Sequence, residues 1–435
     1  MVEGKILNAG TLATTPLRRA ALSIAEAGLS AIDTKTAIRT WVRLEDDLLV
    51  VRDQRVPLDP AGKFVVVTIG KCALAAARVL EEVFRDKIDD GVVLAPRPLG
   101  DSKIGSGKLK IFFGSHPFPT RANMEGTHAI VDFLNGLSER DTVLFVISGG
   151  GSTLLCDPAR DSCEDETNML RHFFAAGVDI REINTLRKHL SRARGGWLAR
   201  VAYPAQVVSL VFSDVAGDDL GSIASGPTVR DTTSVTDAET ILEKYNLPNL
   251  VLTETPKEEK YFARVLNTLF LSNADALQAM AARAEREGFT SRVVTSALAG
   301  EASAAGTMIA EKIRAAHSET ALLYGGETTV TLLQTHREQV RGRGGRNMEL
   351  ALAALPNLKE GELVLALASD GRDNSDFAGA LCDTITMTRA EEKGTDPQAH
   401  LAAHNSYRFF EQTGDALRTG DTGSNVADLV VALKE

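Results

Sequence analysis

The chain has 435 residues, more than a single hydrophobic core usually supports, so two domains are expected. Its 48 basic and 58 acidic residues leave a formal charge of -10, which argues against a broad nucleic-acid surface and confines any anion site to a local cluster. Cys72, Cys156, Cys163 and Cys382 form no CxxC pair, and no apolar run approaches the roughly 18–20 residues of a membrane span, so a cytoplasmic, reducing location without a membrane partner is expected.

Thr15-Pro16 reads as a cap followed by proline at the first helical position, and Leu17, Ala21, Ile24, Ala25 and Leu29 then recur at helical spacing. Short apolar runs next alternate with helical segments: FVVVTIG before CALAAARVLEEVF, TVLFVIS before a glycine turn, VVSLVFS before an acidic loop. This alternation predicts a mostly parallel sheet covered by helices. The stretch 231–262 is polar and interrupted by Pro248 and Pro256, and the interdomain connection is expected near its end. Beyond it come strand TLFLS, helix DALQAMAARAEREG, strand SRVVTS, helix ASAAGTMIAEKIRAA, strand TALLYGG with a hairpin partner TVTLLQ, helix RNMELALAAL and strand LVLALAS. The fold class is therefore α/β, with domains expected at 1–262 and 263–435.

Ligands in open parallel sheets bind beyond the carboxyl ends of the strands, so the residues after each apolar run carry the chemistry. These are Gly70-Lys71; Ser148, Gly149, Gly150, Gly151 and Ser152; Ser213-Asp214 with Gly217, Asp218 and Asp219; Gly325-Gly326-Glu327; and Asp370 to Asp373. Successive amides of the glycine turn can cradle phosphate oxygens, or merely close a tight turn. Lys71 stands between a buried strand and an apolar helix, where its ammonium can meet an anion. In GRGGRN, Arg346 with Asn347 opens a helix whose amides and guanidinium can face an anion, and is a better candidate than Arg343. The carboxylates Asp214, Asp218, Asp219, Asp370 and Asp373 suit a magnesium–nucleotide site rather than an enclosed metal, with Asp214 the named metal candidate. His116, in GSHPFPT, is a further candidate for the cleft.

Other motifs fail. Ser102 stands where a phosphate-loop signature around Gly107-Lys108 requires glycine, and Leu109 replaces its Ser/Thr. Neither a GxGxxG after FVVVTIG nor a GxSxG around Ser152 is present, which weakens dinucleotide and serine-hydrolase readings.

Nine blocks in order, TIGKCA, GSHPFPT, VISGGGSTLL, INTLRKHLSRARGG, SDVAGDDLGSIASGPTV, GGETTVTL, GRGGRNMELAL, SDGRDNSDFAGA and DTGSNVADLVVAL, resemble the glycerate 2-kinase family with a C-terminal MOFRL domain. The resemblance implies a larger N-terminal Rossmann-like domain, a smaller C-terminal α/β domain and a site in the cleft. It implies transfer from ATP, with a divalent cation expected to be Mg2+, to the 2-hydroxyl of D-glycerate, giving 2-phosphoglycerate. Lys71 and Arg346 match the family's active-site cations, and Ser148–Ser152 its ligand-binding loop. Arg372, Asn374 and Phe377 depart from the family pattern, so the acceptor acid is less firmly expected than the reaction type. A small-molecule substrate and a homodimer are the expected partners. An NAD(P)H-dependent hydroxypyruvate reductase and a non-catalytic sugar-acid or phosphate sensor are the competing readings.

Overall fold

The computed structural model describes residues 4–97, 107–158, 163–215, 217–248, 250–332 and 342–435. They fall into two compact units, one of Thr34–Asp214 with Asp218–Leu271, the other of Met1–Asp33, Val215–Gly217 and Ser272–Glu435.

In the first unit, β1 (Val42–Glu45), β2 (Leu48–Val51) and β3 (Gln54–Pro57) make a small antiparallel sheet. The main sheet comprises β4 (Phe64–Ile69), β5 (Asp90–Pro96), β6 (Leu109–Gly114), β7 (Thr142–Ile147), β8 (Gln206–Phe212) and β9 (Val265–Leu271). Its order is β6-β5-β4-β7-β8-β9 and every neighbouring pair is parallel. β4 and β7 are buried at every position, which is why both read as unbroken apolar runs: helices cover the two faces of the sheet. Val65, Val67, Ile69, Val143, Phe145 and Ile147 form the middle of the core. The chain builds outward from β4 to β6 on one side and from β7 to β9 on the other. The direction of winding reverses between β4 and β7, the dinucleotide-fold order, and a crevice opens at such a reversal.

The second unit has β10 (Thr290–Leu298), β11 (Thr320–Gly326), β12 (Glu362–Ala368), β13 (Gly379–Asp383), β14 (Ala416–Leu417) and β15 (Asp428–Lys434), in the order β10-β11-β15-β12-β13-β14. Only β10 and β11 are parallel; the last strand is inserted antiparallel to both β11 and β12. Thr15 caps the helix Pro16–Ala31 by accepting from Arg18 N–H, as its sequence predicts, and that helix packs on Asn273–Arg286 in this unit.

Several expectations change. β11 is flanked by β10 and β15, so no hairpin partner follows it among the described residues; Thr329 makes an isolated bridge with Glu301, and Leu333 and Gln334 lie outside the described residues. The polar segment 231–262 contains a helix, Val235–Lys244, closed by a Ser234–Asp237 capping box. The units also differ from the limits expected at 262 and 263, because β9 completes the first sheet and the first 33 residues belong with the second unit. Cys72 and Cys382 are free and buried. Residues 98–106, which hold most of the rejected phosphate-loop signature, are outside the described residues. No described helix is long and apolar enough to cross a membrane.

Candidate active site

The winding reversal brings Lys71 and the glycine turn together, because β4 and β7 are adjacent and run in the same direction. Lys71 N–H donates to Gly149 carbonyl over 2.9 Å. Ser148 hydroxyl donates to Ile69 carbonyl and accepts from Cys72 N–H, so this serine ties the two strand ends rather than facing a ligand. Gly70 has φ +112, and a β-carbon there would lie 2.3 Å from Ser148 Oγ, so glycine is required where the strands meet. Gly150, with φ +80, starts the short helical turn Gly151–Leu154. The amides of Gly149 and Gly150 donate to no backbone or side-chain acceptor among the described residues. Two adjacent N–H groups pointing at no protein acceptor are the elements of an oxyanion cradle.

His116 and Lys71 flank that turn: a β-carbon on Gly150 would sit 3.3 Å from His116 Cδ2 and 3.5 Å from Lys71 Cγ. Burial pushes the Cys72 thiol up to about 12, with Asp214 adding to the effect and Lys71 opposing it. Lys71, Gly149, Gly150 and Asp214 follow the adjacent strands β4, β7 and β8, and His116, which follows β6, reaches the same glycine turn. Asp219 is committed differently. It accepts from Gly221 N–H and Ser222 hydroxyl and so closes its own loop. Asp218, at φ 53, is part of the same turn. Ser152 hydroxyl accepts from Ser225, which also reaches Asn184. Among the described residues no three His, Cys, Asp or Glu side chains gather as a metal cage.

In the second unit, Glu327 follows β11 and Asp428 opens β15, and the β-pairing sets Asp428 opposite Gly326 and Ala368. Asp428 receives Arg346 through two bonds, Nε at 2.5 Å and Nη2 at 3.1 Å, while Arg346 Nη1 meets Glu327 at 2.5 Å. Asp428 is buried and Glu327 exposed, so one carboxylate orients the guanidinium and the other occupies its outer corner. Two carboxylates hold Arg346 protonated, raising its pKa although burial opposes the charge.

The amides of the Arg346–Ala354 helix do not await an external anion. Asp373 takes Asn347 N–H and side-chain amide, at 3.0 and 3.2 Å, and Met348 N–H at 2.7 Å. Asp373 is thus an internal cap rather than an open metal or proton site, and Asn347 is buried with it. Asp370 accepts from Arg372 N–H. Arg343 is engaged by Asp376 and lies over the Tyr407 ring, which leaves Arg346 as the stronger candidate of the two. Phe377 stacks on Tyr407 at 4.8 Å and is buried, so this departure from the family pattern serves the core.

The sequence reading missed Asp428, Asn184 and Ser225. Asp428 stands in the block DTGSNVADLVVAL, yet nothing local marks it as a partner of an arginine 82 positions earlier.

Comparison with known proteins adds an independent line. The model of a domain of unknown function, DUF4147, matches residues 20–258, and that of the MOFRL family matches residues 320–428. A Pyrococcus horikoshii protein named glycerate 2-kinase is 35% identical over 446 residues, covering 96% of this chain and 97% of that one. The crystal structure of Thermotoga maritima glycerate kinase superposes with a TM-score of 0.82 at 33% identity, over 96% of this chain and 99% of that chain. A protein of Agrobacterium vitis provisionally named hydroxypyruvate reductase is 37% identical over 393 residues, covering 86% of this chain and 88% of that one.

Proposed function

We propose, from the premise that the chain belongs to the glycerate kinase family, that it transfers the γ-phosphoryl group of ATP to the 2-hydroxyl of D-glycerate and forms 2-phosphoglycerate. The observation that carries this reading is the convergence of Lys71 with the uncommitted amides of Gly149 and Gly150 at the winding reversal. Phosphoryl transfer needs little covalent help from the protein; it needs anion binding, alignment and charge neutralisation. The two amides hold phosphate oxygens, and Lys71 balances charge on the group in transit. The 2-hydroxyl oxygen bonds to the γ-phosphorus as the bond to the β–γ bridging oxygen breaks, and ADP leaves. A loose phosphoryl-transfer transition state needs little help from a base, which leaves Asp214, following β8 next to β7, for the metal.

A nucleotide-bound magnesium ion keeps several waters and needs only one or two protein carboxylates, so Asp214 alone fits that demand without a preformed cage. It would neutralise phosphate charge. Arg346, oriented by Asp428, supplies a second anion-binding cation.

The test is a coupled assay of ADP release with ATP, magnesium and D-glycerate, followed by product identification. 2-Phosphoglycerate is the expected product; 3-phosphoglycerate would overturn the regiochemistry, and no turnover with any hydroxy acid would overturn the kinase. Lys71→Ala and Arg346→Ala are each expected to lower turnover by about tenfold or more while far-UV circular dichroism stays unchanged. Near-normal kinetics in both variants would remove these assignments.

The reductase reading draws on the dinucleotide-fold strand order and on the name of the Agrobacterium vitis relative. Against it, the turn after β4 is Gly70-Lys71-Cys72, without the glycine fingerprint that lets a pyrophosphate approach the helix. Loss of nicotinamide absorbance on mixing the protein, cofactor and hydroxypyruvate would restore it.

A further inference from the structure

The helix Ile180–His189 lies in the first unit and is closed at its start by an Asp179–Glu182 capping box. Asn184 and Arg187, three residues apart, share one of its faces. Asn184 accepts from Ser225 hydroxyl at 3.2 Å, and Ser225 lies 2.9 Å from Ser152 Oγ in the glycine turn. Ala224 and Ser225 adopt φ of 51 and 58, a conformation that costs energy at non-glycine residues and brings the Ser225 hydroxyl between Ser152 and Asn184. The loop is pinned there by Gly195 N–H on Ser225 carbonyl and Gly196 N–H on Gly226 carbonyl.

Arg194, next to that pinning pair, is fully buried and bonds Glu166 at 2.6 Å. Arg187 stands beside it, close enough for the two like charges to oppose one another, and Glu166, bonded to Arg194, offsets the charge of Arg187 as well. Among the described residues the Arg187 guanidinium makes no hydrogen bond or ion pair, and its Nε is buried without a partner, as is Nε of Arg194. Arg187 nevertheless keeps some solvent access. Burial, reinforced by Arg194, lowers its pKa to about 10, still well above neutrality, so it carries its charge in the working range. A desolvated guanidinium with no partner and a like-charged neighbour costs stability unless an anion completes it.

We propose that Arg187, with the hydroxyls of Ser152 and Ser225, forms a carboxylate subsite that receives the acid group of the hydroxy-acid acceptor. It rests on the kinase reading only for the identity of that acid. The net charge of Arg187, Arg194 and Glu166 is one positive, which matches a monoanion; the planar guanidinium matches a carboxylate through paired N–H bonds. Ser152, which accepts from Ser225, keeps its own hydroxyl proton for a remaining lone pair, and Ser225, whose proton goes to Ser152 and Asn184, can accept from the acid's own hydroxyl. The amide cradle of Gly149 and Gly150 with Lys71 is a separate group of donors, which leaves the phosphates their own partners.

The experiment compares full-length wild type with Arg187→Gln by thermal melting and by calorimetric titration of D-glycerate, D-lactate and magnesium ATP, without relying on turnover. Gln keeps much of the length and removes the charge. The expected result is D-glycerate and D-lactate affinity down by about tenfold or more, nucleotide affinity unchanged, and a melting temperature equal to or above wild type because a repulsion is gone. Arg187→Lys should recover part of the acid affinity. Loss of nucleotide affinity with acid binding intact, unchanged binding of both, or a lower melting temperature in Arg187→Gln would each overturn the proposal. A wild type that binds hydroxy acids through Arg187 but transfers no phosphoryl group would overturn the kinase reading and leave the subsite standing.

Discussion

Arg346 shows how unequal two carboxylates around one guanidinium can be. Asp428 is buried, held at its backbone by Asn273 Nδ2, and grips Nε and Nη2 together; Glu327 is exposed and touches Nη1 alone. A bidentate buried partner fixes orientation, whereas an exposed single contact exchanges readily with an incoming anion. Asp428→Asn should therefore lower turnover by about tenfold or more with little change in the KM for glycerate, while Glu327→Gln should lower that KM. Steady-state kinetics on the two variants distinguish the roles, and a silent Asp428→Asn beside a crippled Glu327→Gln would reverse them. Arg346 was legible because it opens a helix after glycines. Asp428 was not, because only the insertion of the final strand between β11 and β12 sets it beside that helix. Lys71 was legible for the opposite reason: its strand, turn and helix are contiguous in sequence, and the strand's apolar run ends where the ligand end of the sheet begins.

At the scale of an element, the helix Arg346–Ala354 replaces a local cap with a distant one. Gly345 at its N-cap has no side chain to offer, and a β-carbon there would lie 2.3 Å from Asp373 Oδ1, so the glycine is the space that Asp373 fills. The GRGGRN loop reads from sequence as an anion cradle; the anion is a carboxylate of the same chain, from the connection between β12 and β13. Gly345→Ala should displace the cap and lower both the melting temperature and turnover, and an unchanged variant would show that the close approach is not needed. The cap also has a pH signature. Burial pushes the Asp373 carboxyl from 3.8 to about 7, against the N–H groups of Met348 and Asn347, with Asp428 adding to the rise. A folded pKa above the unfolded one means that the contribution of this group is full below the unfolded pKa and is lost as pH rises through about 7. Asp373→Asn should consequently gain on wild type between about pH 4.5 and about pH 8, by a few kcal/mol at most, in denaturant melts at the two values. A constant difference across that range would show that Asp373 titrates as an ordinary aspartate.

At the scale of the whole chain, the polar stretch 231–262 looks like a linker, but composition does not reveal which sheet the next strand joins. β9 joins the first, and the amphipathic pattern that correctly marks the helix Pro16–Ala31 is silent about what its buried face meets. The answer is an ion cluster spanning nearly the full sequence. Arg18 is fully buried; its Nε and Nη2 bond Asp383 at 2.7 and 2.6 Å, and its Nη1 bonds Asp415 at 2.7 Å. Arg389 meets the same oxygen of Asp415 at 2.6 Å, so two arginines and two aspartates balance. Such a cluster adds modest stability when complete, because desolvation consumes most of the attraction, but it is costly to break because the survivors remain buried and charged. Arg18→Ala should accordingly cost the second unit about 3–5 kcal/mol. The loss should appear as an earlier denaturant transition in that unit, with the transition of Thr34–Asp214 and Asp218–Leu271 little changed, because every partner of Arg18 lies in residues that cluster with Ser272–Glu435. Arg18→Met, which keeps the stem but not the charge, should not rescue the fold, whereas Arg18→Met combined with Asp383→Asn should recover part of it by removing one stranded carboxylate. A single-variant melt indistinguishable from wild type would show that the first 33 residues are not held to their unit by this arginine.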